Sequence, residues 1–121
     1  KKKLLGGYEV YTHNGKKATG INPMIFVEEA ERLGAGEIVI NSIDKDGVMK
    51  GYDLDLIEKV RGKIALPMTV LGGAGSLDDI EKIIKRHGII GIAAGSLFVF
   101  KGPYKAVLIN YPNREEKNKL F

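Results

Sequence analysis

Three short runs of β-branched apolar residues, each ending in a glycine-bearing loop and each separated from the next by a helical pattern, constrain this chain most. The runs are Glu37-Ile-Val-Ile-Asn41, Met68-Thr-Val-Leu71 and Ile89-Ile-Gly-Ile-Ala93. Alternation is poor in all three, which predicts parallel strands covered on both faces. Phe26, Ala30 and Leu33 recur at helical spacing after Asn22, an N-cap type, and Pro23, which suits the first helical position. Leu56, Ile57, Val60 and Ile64 follow a cap candidate at Asp53. Leu77, Ile80, Ile83 and Ile84 follow Ser76, which with Asp79 has the S-x-x-D form of a capping box. Gly34 and Gly88 stand where helices should stop. The order from Asn22 is thus α-β-α-β-α-β, which predicts βαβ units with right-handed crossovers.

The two ends differ from this repeat. Tyr8-Glu-Val-Tyr-Thr12 alternates, His13-Asn-Gly15 is a turn signal and Lys16 to Thr19 returns, so residues 8–19 predict a small β-hairpin. In the tail, residues 101–121, Ala106-Val-Leu-Ile109 fits a strand or part of a helix, and Pro112 is placed to open a short helix through Arg114 to Leu120. Three parallel strands cannot close a barrel, and as an open sheet they leave unpaired edges. A closed (β/α)8 barrel takes about 250 residues; with 121, the chain predicts a half-barrel segment or one that pairs with another chain.

Bulk properties narrow the function. No apolar run approaches the roughly 20 residues of a membrane span, and no secretory signal is recognisable, since only Leu4 and Leu5 separate Lys1–Lys3 from Gly6 and Gly7. There is no Cys, so no disulfide or thiolate metal site; a reducing cytoplasm is the expected setting. The net charge of +4 admits nucleic-acid binding, but Lys and Arg are interleaved with Asp and Glu as on solvated helix faces. A local positive field for an anionic substrate stays open. His13 and His87 have no partner at metal-ligand spacing, and His87 precedes a helix-ending glycine, where a cation suits the dipole. No cofactor, metal, nucleic acid or membrane is expected.

Chemistry is expected in the loops. Sixteen glycines in 121 residues is about twice the usual ~7%, and they cluster after the apolar runs. In parallel α/β folds ligands sit beyond the carboxyl ends of the strands, so Asn41 to Gly47, Gly72-Gly-Ala-Gly-Ser76 and Ala94-Gly-Ser96 share one face. A phosphate is held by converging backbone N–H groups, and glycine lets the backbone approach. Gly72, Gly73, Gly95 and Ser96 are therefore candidate phosphate ligands; tight turning without a ligand is the alternative for the G-G-A-G loop alone. Asp44 and Asp46 flank Lys45 and offer carboxylates for acid–base work or a solvated turn. Glu37 opens a buried strand and must be paired, neutral or at a wet strand mouth.

These residues together resemble a known family. Gly34-Ala-Gly-Glu-Ile-Val-Ile-Asn-Ser-Ile-Asp-Lys-Asp-Gly47, Gly51-Tyr-Asp53, Gly72-Gly-Ala-Gly75 and the hairpin Val10 to Gly20 are similar to the cyclase subunit of imidazole glycerol phosphate synthase, over residues 8 to about 100. The resemblance implies a (β/α)8 barrel, with the three runs as barrel strands six, seven and eight. It implies ammonia supplied by a glutamine amidotransferase at the N-terminal face, joined to a bis-phosphorylated ribulosyl aminoimidazole to give imidazole glycerol phosphate. By motif, Asp46 and Gly47 match substrate-contacting positions, Asp46 being an auxiliary catalytic candidate. Gly72, Gly73, Gly95 and Ser96 match a phosphate site, and Glu37 matches a charged residue at the ammonia gate. Asn14, beside Gly15 in the substrate-contacting hairpin turn, stands where serine is expected. The family's two catalytic aspartates, at strands one and five, are expected outside this chain, leaving it inactive alone. The tail is similar to a paralogous branch associated with surface-polysaccharide genes, which implies ammonia delivery for sugar amidation. A noncatalytic half-barrel that self-associates is the third reading.

Overall fold

Each helix begins where a side chain can take up the unpaired N–H groups of the first turn. In the computed structural model, which describes residues 1–88 and 90–121, Asn22 caps α1 (Pro23–Arg32) by accepting from the Met24 N–H. Asp53 caps α2 (Leu54–Arg61) through the Leu56 N–H. Ser76 and Asp79 close a reciprocal capping box on α3 (Leu77–His87). At their other ends, Gly34 turns the chain at φ 92° just after α1, and Gly88 ends α3 at φ 68°, a region that costs a side chain about 1–2 kcal/mol.

The helices alternate with β3 (Ile38–Asn41), β4 (Met68–Leu71) and β5 (Gly91–Ile92), a parallel sheet in the order β3-β4-β5. Val39 pairs with Thr69, and Thr69 with Gly91. The expected strand at 89–93 is shorter in the structure, and Ile89 lies outside the described residues. Gly91 is needed beside Thr69, because a Cβ there would overlap the threonine Oγ1.

The sheet is covered on one face, not two as the apolar runs suggested. Ile38, Met68 and Val70 are buried with Val27, Leu56, Ile57, Val60, Ile80 and Ile83 from the helices. The opposite face carries Val39, which is 61% exposed. The reason is topological: α1, α2 and α3 pack their apolar stripes on the Ile38–Met68–Val70 side, and among the described residues no other element covers the second face.

The hairpin forms as β1 (Tyr11–Thr12) against β2 (Lys17–Ala18), antiparallel. Its turn holds His13, Asn14 and Gly15 all at positive φ. Tyr8, at its base, is buried, and its hydroxyl lies 2.8 Å from Asp53 Oδ1 and 3.0 Å from Asp55 Oδ2. The beginning of the chain is thereby tied to the start of α2. In the tail, a four-residue helix α4 (Ser96–Val99) runs into a second hairpin of β6 (Phe100–Lys101) and β7 (Ala106–Val107), followed by α5 (Arg114–Asn118). The helix expected after Pro112 spans Arg114–Asn118, shorter than the run to Leu120, and Asn113 caps it through the Glu116 N–H.

Candidate anion-binding site

Parallel pairing puts the carboxyl ends of all three strands on one side, and their loops meet there. Asp46, Gly47, Gly72, Gly73, Gly95 and Ser96 line one shallow dish together with Leu71, Ala74 and Ala94. Its enclosed volume is about 10 Å³, room for about one water. That is too small to enclose an anion of phosphate size. Among the described residues, no acceptor takes the backbone N–H of Gly47, Gly73, Gly95 or Ser96. These donors come from the loops after β3, β4 and β5, which border the same dish.

The glycines serve different ends. A Cβ on Gly73 would strike the Gly51 carbonyl and stand 3.2 Å from Lys45 Cβ, and the residue holds φ 117°. The Gly73 carbonyl in turn accepts from the Gly51 N–H at 2.9 Å. On Gly72, a Cβ would lie 2.7 Å from both Asn41 Oδ1 and the Ser42 carbonyl. These two glycines thus let two loops lock together, a reason distinct from the ligand approach expected of them. Gly95 is the exception, since its missing side chain would face open space. The backbone there is bare without any packing demand.

Neighbouring groups hold the loops in place. Ser42, the buried polar side chain of the core, hydrogen-bonds Asp53 at 3.4 Å, and its carbonyl accepts from the N–H groups of Lys45 and Asp46. Asn41 Nδ2 donates to Asp46 Oδ2 at 3.2 Å. Buried Tyr52 donates its hydroxyl to the Ala93 carbonyl at 2.9 Å, fastening the start of α2 to the end of β5. Burial, with the Asp79 charge nearby, pushes the Tyr52 phenol up to about 12, so it stays a neutral donor. Asn41 and Ser42 fall within the Gly34–Gly47 stretch and Tyr52 within Gly51-Tyr-Asp53, but nothing in the sequence marked these contacts.

Asp44 and Asp46 do not form a carboxylate pair: Asp44 accepts from the Lys2 backbone N–H at 2.6 Å. Asn14 and Gly15 stand beside the dish, lining a larger cavity of about 590 Å³ that Asp46 also borders, with Val39, Asn41 and Ile43. Ile43 Cγ2 is 3.0 Å from where a Gly15 Cβ would be, which seats the hairpin turn on that loop. Glu37 lies at the other end of the sheet, exposed, just before β3, and accepts from Thr69 Oγ1 at 2.6 Å. At His87, two effects oppose each other: its place at a helix end favours the cation, and its burial disfavours it. Burial lowers its pKa, and its Nε2 is enclosed without a partner among the described residues. Among those residues, no group of three or more His, Cys, Asp or Glu gathers to hold a metal ion, and no helix is long and apolar enough to cross a membrane.

The profile of the family described as histidine biosynthesis protein matches residues 1–105. A protein of Leptospira interrogans, provisionally named an imidazole glycerol phosphate synthase subunit, is 60% identical over 94% of this chain. A Vibrio vulnificus protein with the same kind of provisional name is 54% identical over 100% of it. A Hyphomonas neptunium protein named an imidazole glycerol phosphate synthase subunit without that qualification is 42% identical over 77% of it. The chain spans about half the length of the first two relatives, 45% and 47% respectively, and 37% of the third.

Proposed function

The chain belongs to the histidine biosynthesis protein family, and on that premise we propose that it is the phosphate-binding half of a (β/α)8-barrel cyclase. In this reading β3, β4 and β5 are barrel strands six to eight, and a complementary half supplies the remaining strands and the general acid and base. One phosphate of the substrate lies across the dish, while Asp46, held by Asn41, contacts the substrate as an auxiliary group. Asn14 and Gly15 border the same face. Ammonia from a glutamine amidotransferase subunit enters at the opposite end, where Glu37 and Thr69 form the gate. The product is imidazole glycerol phosphate.

The observation that carries the reading is the set of unclaimed N–H groups on Gly47, Gly73, Gly95 and Ser96, drawn from three strand ends to one dish. Fixing the substrate through a remote phosphate lowers the barrier by orienting its reacting end. Titrating inorganic phosphate into the 15N-labelled chain tests it: the amide signals of Gly73, Gly95 and Ser96 should shift saturably. Shifts spread over the surface lysines with none at these three would overturn it.

A second reading, ammonia delivery for sugar amidation in surface-polysaccharide synthesis, draws on the tail. The provisionally named relatives align over 94–100% of the chain, while the Hyphomonas neptunium protein aligns over 77%. Assaying the intact protein with its amidotransferase separates the two, because robust formation of imidazole glycerol phosphate excludes the second.

A further inference from the structure

The tail returns to the dish. After α4 the chain turns back through β6 and β7, and the turn is closed by the Lys105 N–H on the Gly102 carbonyl at 3.1 Å. Leu108 N–H to Val99 O at 2.9 Å and Asn110 N–H to Phe98 O at 2.8 Å fasten the segment after β7 to α4. The Tyr111 ring lies 5.3 Å from that of Phe98. The base of the hairpin is thus fixed to the helix that opens at the dish. From its turn, the Lys105 ammonium reaches 58 residues back along the chain to the Gly47 carbonyl, 3.2 Å away. Gly47 lines the dish.

Among the described residues that line the dish, Asp46 carries the formal charge and none is Lys or Arg. A phosphate held there by neutral N–H groups alone is opposed by that carboxylate. An exposed ammonium resting on a neutral carbonyl has a better partner in an anion oxygen, and the flexible four-carbon lysine stem can swing to reach one. Lys105 also holds φ 50°, a conformation that glycine or asparagine adopts at lower cost.

From this juxtaposition we infer that Lys105 is a phosphate clamp delivered by the tail hairpin, a specificity-determining residue that favours a dianionic phosphate at the dish. The inference rests on the anion reading of the dish and adds a residue to it.

The test compares phosphate titrations of the full 121-residue chain with those of Lys105→Gly and Lys101→Gln, following the amides of Gly73, Gly95 and Ser96. Lys105→Gly suits the left-handed turn, so lost affinity cannot come from a damaged hairpin. Lys101→Gln removes the same charge from the same hairpin. Lys105→Gly should weaken phosphate about fivefold, the upper end for a solvent-exposed ion pair, and make binding less sensitive to salt. Lys101→Gln should bind as the unaltered chain does. Equal weakening in both variants would reduce the effect to net charge and overturn the clamp. Unchanged affinity in Lys105→Gly would overturn the clamp while leaving the dish as an anion site. Absence of saturable shifts in the unaltered chain would overturn both.

Discussion

Gly73 and Gly95 lie in one dish but answer to different physics. Gly73 combines φ 117° with a Cβ direction blocked by the Gly51 carbonyl. Gly73→Ala should cost about 2–4 kcal/mol from backbone strain and displaced packing, seen as a lower urea midpoint. Gly95→Ala should stay within about 0.5 kcal/mol of the unaltered chain, since its φ is −110° and its surroundings are open. A bulky residue at position 73 would therefore weaken phosphate binding by disordering the loop, and only position 95 probes access to the anion cleanly. His87 provides a pH dependence. Burial holds its folded pKa below the ordinary value, against the opposing effect of Glu58 and with Arg86 and Arg61 adding to the depression. The unfolded chain then binds the proton more readily, so this part of the stability is full above about pH 6.5 and is lost as the pH falls through the folded value. Denaturation of His87→Gln between pH 7.5 and 5 should show a shallower acid slope than the unaltered chain. Equal slopes would place the acid sensitivity elsewhere.

At the scale of elements, local chemistry was readable where a motif is self-contained. Asn22, Asp53 and Ser76 cap the helices anticipated for them because each cap needs only an acceptor two or three residues before the N–H it takes. Ser76→Ala should cost about 1 kcal/mol and loosen the loop at 72–75, since Asp79 also accepts from the Gly75 and Ser76 N–H groups. Thermal unfolding reads the first effect and hydrogen exchange at Gly75 the second. The tail was not readable in this way. Ala106-Val-Leu-Ile109 fits two periodicities, and what makes it extended is pairing with β6 and α4, through Phe100 opposite Val107 and the Leu108 N–H on Val99. Nor does any pattern in the residues around Lys105 announce Gly47 as its partner. That contact depends on where the hairpin lands.

For the whole molecule, the uncovered face of the sheet is the dominant fact. Val39 is 61% exposed on it, β3 and β5 are the sheet's edge strands, and the cavity of about 590 Å³ opens between β3 and the first hairpin. Exposed apolar surface beside unpaired strand edges favours association. The isolated chain should therefore form dimers or larger species at micromolar concentration by light scattering, and adding a complementary half-barrel should dissolve them in favour of a one-to-one complex. A stable monomer with no affinity for such a partner would contradict the half-barrel reading.

By itself the sequence determined the α/β alternation, the helix starts and the loops that share a face, because capping, periodicity and strand direction are set by residues near one another in the chain. It also placed Gly73, Gly95 and Ser96 on one face, since parallel strands must end on the same side. Only the tertiary structure decided that Gly72 and Gly73 serve loop against loop, that Glu37 leans on Thr69 and that Lys105 reaches Gly47. It alone showed that one face of the sheet is bare. Each of these depends on the distance between segments tens of residues apart, which is set by packing in three dimensions and leaves no periodic trace along the chain.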